Sequence, residues 1–458
     1  MYKFYINGIS NDYHYNELAR EFFKDDEFEV IPIDILKPDA LNLSSNSYLI
    51  NKERKTERDK IKKDFFLLLY QLSGKIPAWG TLTGVKPLIL ANKFYKTNKN
   101  PSHMRDVLKN DYMVSDDKID ILEEILDYRE KHLKKTVDDA ISVYISIPFC
   151  PSKCSYCSFG SIVPKNDNQI SEYIEKITLE IKSVKEILKN KNIESIYIGG
   201  GTPGVLNVDQ INKLFDTITK NINISKNTEI TFEAGRPDTI TKEKIISLSK
   251  YGIKRISINP ETMNDNILQS INRNHSSADI ERAISLARDY SNMHINSDLI
   301  LGLPNETSAE FRSSLKKVLK FNVDNITCHS LSIKKGSKLE KENPDLYIEN
   351  KENAIKMTKN AYEDLTNHKY KPYYVYRQKH QTGLNENIGW TKPDKHSIYN
   401  IKIMEDEQTV IGIGAGAIGK ICNKENGSIR RIPNINEPQL YMDRFNDILN
   451  RKKEYINI

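Results

Sequence analysis

The chain has 458 residues, of which 38% are hydrophobic and 28% charged, with a formal net charge of +6. That length exceeds what one hydrophobic core serves, so two or three domains are expected. The weak, dispersed positive charge gives no argument for nucleic acid and would suit a substrate carrying several carboxylates; no apolar run approaches the roughly 18 residues of a membrane span, and the N-terminus lacks a signal-peptide core, so the expected setting is cytoplasmic.

Residues 1–138 carry a mixed pattern, read as an accessory domain that includes the segment Ile76-Pro-Ala-Trp-Gly-Thr-Leu-Thr-Gly-Val-Lys-Pro87. Over 139–335, short β-branched runs alternate with amphipathic stretches. A strand at Ile141–Ile147 leads into a loop bearing Cys150, Cys154 and Cys157. A helix follows over about Gln169–Leu188, then a strand at Glu194–Ile198 running into Gly199-Gly200-Gly201-Thr202-Pro203. A helix over Val208–Ile222 precedes strands at Glu229–Glu233, Arg255–Ile258, Ile295–Leu301 and Asn325–Ser330. Six strands in β-α alternation predict a parallel sheet closed or partly closed into a barrel. The fold class is therefore α/β: a partial (β/α)6 barrel with additional N-terminal and C-terminal α+β regions. Residues 336–458 are expected to form a C-terminal domain covering the barrel mouth. The cysteines, the glycine run, Glu233 and Asp298 all fall near strand C-termini, the edge where parallel barrels build active sites.

Five cysteines, three of them clustered, read as a metal site in a reducing compartment rather than a disulfide framework. The spacing Cys150-x3-Cys154-x2-Cys157 offers three thiolates on one short loop. A closed zinc site or an ordinary four-iron cluster takes four ligands, so three leave one iron open. A zinc site completed by a distant residue, or thiols without metal, is the other reading. The glycine run is either bare backbone that accepts a ligand's ammonium on its carbonyls or a tight turn after a strand. Glu233 offers two acceptor oxygens to hydroxyls, or pairs with Arg236. Asp298, in an apolar strand, needs a partner, whether an arginine or a ligand. Arg255 and Arg273 are further polar candidates, and Arg273 has the fork to hold a carboxylate. Tyr376-Arg377-Gln378-Lys379-His380 gathers anion donors. The stretch Ile411–Gly419 reads as backbone packed close to the barrel mouth, and Cys328 and Cys422 as core thiols.

Tyr144-x5-Cys150-x3-Cys154-x-Tyr156-Cys157, Gly-Gly-Gly-Thr-Pro, Glu233, Arg255-x-Ser257, Arg273 and Asp-Leu-Ile-x-Gly-Leu-Pro occur in unbroken order. The run resembles the radical S-adenosylmethionine (SAM) family of oxygen-independent coproporphyrinogen III oxidases, also called dehydrogenases. The segments at Trp79, Glu233 and Tyr376 resemble its HemZ-type branch. The resemblance implies a 4Fe-4S cluster on Cys150, Cys154 and Cys157. It implies SAM contacts from Tyr144, Gly200 and Glu233, with Ile418 closing over that SAM. A second SAM would meet Tyr156, Gly201, Thr202, Glu261, Arg273 and Asp298. The implied reaction converts two propionates of coproporphyrinogen III to vinyls, giving protoporphyrinogen IX in porphyrin and haem biosynthesis. A deoxyadenosyl radical takes a β-hydrogen, CO2 leaves, and one electron passes to an outside acceptor. A flavodoxin- or ferredoxin-type electron donor is implied as partner. Four substrate carboxylates would need cations, for which Arg273, Arg377 and Lys379 are candidates.

Three positions depart from the family pattern. Ser146 stands where a histidine is usual, Glu261 where a glutamine is usual, and Phe159 where some members carry an extra cysteine. Two alternatives follow: a haem-binding chaperone of the same superfamily, with His275, His294, His329 or His380 as axial ligand, or another radical SAM reaction on a tetrapyrrole.

Overall fold

The computed structural model describes residues 1–7, 9, 11–33, 45–51, 58–84, 86–98, 101–133, 139–379, 381–423 and 427–455. The chain divides into two compact units, Met1–Asp127 with Val375–Arg377, and Tyr128–Tyr374 with Gln378–Ile458.

In the first unit, β1 (Tyr2–Asn7) lies between β2 (Phe28–Ile33) and β3 (Ser47–Asn51), parallel to both. Phe4 and Ile6 of β1 bury against Leu18, Phe22, Phe65 and Leu69. The short sheet thus hides one apolar face under helices Tyr13–Ala19 and Arg58–Ser73. Arg377 enters this unit from far along the chain. Its guanidinium pairs with Glu21 at 2.8 Å and lies 5.6 Å from the centre of the Trp79 ring.

The second unit holds an eleven-stranded sheet. Its centre is β4 (Ala140–Ile147), β5 (Asn192–Gly200), β6 (Glu229–Gly235), β7 (Arg255–Ile258), β8 (His294–Leu301) and β9 (Asn325–Ser330), each parallel to the next. The crossover helices start where the sequence provides an acceptor: Asn166, Asn207, Thr241, Ser276 and Thr307 each take a backbone N–H of the first turn. Their apolar stripes, such as Ile211, Leu214, Phe215 and Ile218, bury against the sheet. The helix expected over 169–188 is broken: it runs Asp167–Ser183, and a separate turn at Lys185–Leu188 tucks Val184 and Leu188 into the core.

The barrel stays open, because β4 and β9 do not pair with each other. The C-terminal region adds β10 (Lys371–Tyr376) and β11 (Asn387–Thr391) beyond β9, and β12 (Val410–Ile413), β13 (Ile418–Cys422) and β14 (Ile429–Pro433) beyond β4. The strand β12 runs parallel to β4, with Ile413 beside Ile145. Although the sequence pattern places 336–458 over the mouth, one part of it seals the opposite end. Glu229, at the start of β6, accepts from the Ser397 hydroxyl at 3.1 Å and from the Ile398 amide at 2.9 Å. Arg255, at the start of β7, donates to the carbonyls of Lys395 and His396 at 2.9 and 2.8 Å. The physical reason is the amide end of helix Ile398–Glu405, which attracts the buried Glu229 carboxylate.

Candidate functional site

The strand β4 delivers the chain into the cysteine loop, whose neck is closed by backbone bonds from Cys150 to Ile162 at 3.0 Å and from Ile162 to Pro148 at 2.9 Å. Two other segments, Ile271-Asn272 and the one carrying Leu339, clamp the loop. Ser155 donates to Ile271 at 3.1 Å, the Asn272 side chain donates to Lys153 O at 2.6 Å, and Leu339 donates to Ser155 O at 2.8 Å. All three thiols are unbridged and partly exposed. Among the described residues no three His, Cys, Asp or Glu side chains gather on a single-ion point. A four-iron cluster places each thiolate on a different iron, so three sulfurs spread along one clamped loop fit it by number and chemistry. Burial pushes the Cys150 thiol up to about 11 and raises Cys157 as well, so loading iron must displace their protons.

The glycine run is pinned to the neck of this loop. Gly201 donates to Ile147 O and Thr202 to Phe149 O, both at 2.8 Å. Gly200 has φ +116°, and a Cβ there would lie 2.8 Å from Ser146 Oγ and 3.0 Å from the Ile147 amide nitrogen. At Gly201 a Cβ would meet Phe149 O at 2.5 Å. Close backbone packing therefore dictates these glycines. The buried Thr202 hydroxyl donates to Ala234 O and faces the neighbouring strand.

Inside the barrel, at the end where the cysteines lie, Tyr144, Tyr156, Tyr197, Glu233, Asp298 and His329 are surrounded by protein yet keep accessible surface, as side chains lining a cavity do. Tyr144 and Tyr197 stack at 6.2 Å, and Tyr399 stacks beneath Tyr197 at 4.6 Å. Burial, reinforced by the charge of Asp298, pushes the Glu233 carboxyl up to about 8. Gly199 leaves room for it, since a Cβ there would come within 2.6 Å of Glu233 Oε2. The pairing of Glu233 with Arg236 does not occur: Arg236 bonds Asp238 at 3.1 Å and the Ser152 hydroxyl at 3.0 Å. Among the described residues Asp298 has no arginine partner either. Burial works against its charge, but His329 at 3.7 Å and the Asn296 amide at 2.9 Å hold its carboxyl below the usual range. Around the same region Asn259 Oδ1, Asn296 Oδ1 and Arg273 Nε are buried without a hydrogen-bond partner among the described residues. Buried polar atoms left open in this way suit a polar ligand.

Glu261 occupies a left-handed backbone conformation, φ +64°, because it forms a bridge with β8: its amide donates to Asp298 O and its carbonyl accepts from Ile300, both at 2.9 Å. Its carboxylate pairs with Arg273, and the same guanidinium donates to the Tyr156 hydroxyl at 3.2 Å and to Asn259 O at 3.3 Å. The arginine considered for a carboxylate is thus already answered by a carboxylate of the chain. Arg377 lies in the first unit, and Arg255 belongs to the sealed end of the barrel. Of the histidines, His294 begins β8 at that sealed end, His275 is buried, His329 lines the cavity, and His380 lies outside the described residues. Cys328 is a buried core thiol, and the Cys422 thiol donates to the carbonyls of Asp406 and Gln408 at 3.2 Å.

The glycine stretch after β12 reaches the end of β4. A Cβ at Gly414 would meet Ser146 O at 2.5 Å, and Tyr173 joins the two by donating to Ser146 O at 2.9 Å and accepting from the Ala415 amide at 2.7 Å. Beneath it, Glu180 accepts from the Gly414 amide and from Lys452 Nζ, both at 2.8 Å. Ile418, which starts β13, is 55% exposed. Tyr197 escaped the sequence reading, although it shares the inward parity of Gly199 on β5. Glu180 and Lys452 carry no sequence signal, because a charged residue on an amphipathic helix ordinarily faces water.

The barrel and its three-cysteine loop define a radical SAM protein. The model of the Radical SAM superfamily matches residues 144–318. Over 408 residues the chain is 36% identical to the oxygen-independent coproporphyrinogen-III oxidase-like protein HemZ of Bacillus subtilis (strain 168), covering 88% of this chain and 81% of that protein. It is 31% identical over 312 residues to the heme chaperone HemW of Buchnera aphidicola subsp. Schizaphis graminum, covering 68% and 76%. Among solved structures, coproporphyrinogen III oxidase (HemN) from Escherichia coli aligns with a TM-score of 0.56 at 22% identity, covering 68% and 70%. The chain belongs to the oxygen-independent coproporphyrinogen III oxidase family of radical SAM proteins, in its HemZ-type branch. Membership implies a 4Fe-4S cluster and SAM, and Cys150, Cys154 and Cys157 fit the motif. Among the described residues no helix is long and apolar enough to cross a membrane.

Proposed function

We propose that the protein catalyses oxygen-independent oxidative decarboxylation of two coproporphyrinogen III propionates to vinyls, giving protoporphyrinogen IX. The observation that carries this reading is the group of half-buried polar side chains on the strands that lead to the cysteine loop, Glu233 and Asp298 among them. In this reading Cys150, Cys154 and Cys157 hold the cluster, Tyr144, Gly200 and Glu233 contact SAM, and Ile418 covers it. When bound, cluster and SAM together supply a 5′-deoxyadenosyl radical that removes hydrogen from the propionate β-carbon. The protein's part is to orient the substrate and exclude water. Glu233, which burial pushes up to about 8, can exchange its proton for hydrogen bonds from a polar ligand. The second SAM set, Tyr156, Gly201, Thr202, Glu261, Arg273 and Asp298, is answered within the chain by the Arg273–Glu261 pair and by Thr202 on Ala234 O, which favours a single SAM. A flavodoxin- or ferredoxin-type protein in the cytoplasm would donate the electron.

The test is an anaerobic assay of the reconstituted protein with SAM, reductant and coproporphyrinogen III, read by mass spectrometry. Stepwise loss of two carboxyl groups with matching deoxyadenosine is expected, and C154A should abolish both while leaving the circular dichroism unchanged. A haem chaperone is the second reading, supported by the HemW relatives and by the His329 imidazole on the cavity wall. Stable haem binding without porphyrinogen turnover, lost in H329A, would decide for it.

A further inference from the structure

The turn that follows β12 has its successive amides bonded. Gly414 donates to Glu180 Oε2 at 2.8 Å, Ala415 to the Tyr173 hydroxyl at 2.7 Å, Gly416 to Ile435 O at 2.9 Å and Ala417 to Gly414 O at 3.2 Å. Carbonyls of the stretch are held as well. Asn434 donates from its side chain to Gly414 O and from its backbone to Ala417 O, both at 2.8 Å, and Lys452 Nζ donates to Gly412 O. These bonds converge on Glu180, which is fully buried on helix Asp167–Ser183. Its Oε1 accepts from Lys452 at 2.8 Å and from Asn434 at 2.9 Å, and its Oε2 from Gly414 and from the Tyr441 hydroxyl. A buried carboxylate satisfied on both oxygens, with its counter-charge on helix Phe445–Lys452, resists displacement.

We propose that Glu180 and Lys452 are positioning residues for the SAM site: they fasten residues 412–418 as a fixed wall, so SAM enters a site already formed and Ile418 does not have to close over it. This rests on the reading above, in which Tyr144 and Ile418 contact SAM. Tyr173 carries the restraint to the strand that leads into the cysteine loop, since the hydroxyl that accepts from Ala415 donates to Ser146 O. A loose wall has to be ordered by each SAM that binds, and the apparent affinity then falls with the fraction of molecules in the fastened form. Removing the Lys452 ammonium leaves Glu180 buried without its counter-charge, next to the Gly414 amide, and so loosens the turn.

The test is amide hydrogen exchange of residues 412–418, read by mass spectrometry on the full-length protein reconstituted anaerobically, with and without SAM. SAM affinity is measured on the same samples by titration calorimetry. Slow exchange that SAM does not change is expected for the native chain. K452M is expected to exchange fast without SAM and slowly with it; if the fastened form falls to roughly a tenth of the molecules, SAM binds roughly tenfold more weakly. K452R should restore both. If K452M does not fold, Y441F, which removes another donor to Glu180, is measured with the same expectation. Native exchange that is fast until SAM is added overturns the proposal and makes the stretch a closing lid. Slow exchange in K452M overturns it too, as does fast exchange at unchanged SAM affinity, which leaves the pair a purely structural one. These outcomes overturn the proposal while SAM binding stands; a native chain that binds no SAM refutes the reading above and the proposal with it.

Discussion

Glu233 holds its proton far above the ordinary carboxylate range because it is buried and faces Asp298. Between about 4.5, its unperturbed value, and about 8 the folded chain keeps a proton that the unfolded chain releases. Stability contributed by this group therefore falls as pH rises through that window. E233Q is expected to flatten the pH dependence of the melting temperature there and to raise the melting temperature of the unloaded protein near its upper end. Thermal melts across the window check this; parallel curves for the two proteins would refute it. At Glu261 burial likewise raises the carboxyl above its ordinary value, but here a cation opposes the shift: Arg273 lies against the carboxylate, and the same guanidinium donates to the Tyr156 hydroxyl.

At the level of strands and loops, the glycine run and the stretch after β12 meet on Ser146, at the end of β4. Gly200 approaches the Ser146 hydroxyl and Gly414 its carbonyl, so β5, β4 and β12 are held at a spacing without room for side chains. G200A would place a methyl group on left-handed backbone against Ile147. A loss of about 1–3 kcal/mol in denaturant unfolding is expected, from strain and displaced neighbours. Because that shift moves the neck of the cysteine loop, iron loading should drop along with stability. A variant with wild-type stability and iron content would show that the close approach is not required.

For the whole molecule, the C-terminal region has three separate tasks. Its strands extend both edges of the open barrel, helix Ile398–Glu405 seals one end through Glu229, and Val375–Arg377 completes the N-terminal unit. Arg377 is nearly fully buried between Glu21 and Trp79. R377A leaves the buried Glu21 without this cation, and removing one partner of such a pair costs about 3 kcal/mol. Limited proteolysis should then cut within 1–127 at protease levels that the native chain resists. Equal resistance would mean that the pair is not needed for that unit.

Local chemistry made much of this legible before any tertiary contact was known. Six strands announced themselves by β-branched alternation, and the structure shows each within two residues of the expected ends. The cysteine spacing pointed to an iron–sulfur site, since ligand number and loop length are local properties. Partnerships were not legible, because they join residues far apart in sequence. Nothing around Asp298 announces His329, nothing around Glu233 frees it from Arg236, and neither Glu180 nor Lys452 reads as a buried ion. The helix break at Val184 and the sealing of the barrel by Ile398–Glu405 belong to the same class. Periodicity reports which face of an element is apolar; which charge answers which, and which end of a barrel a distant helix closes, depends on packing between elements that only the folded chain brings together.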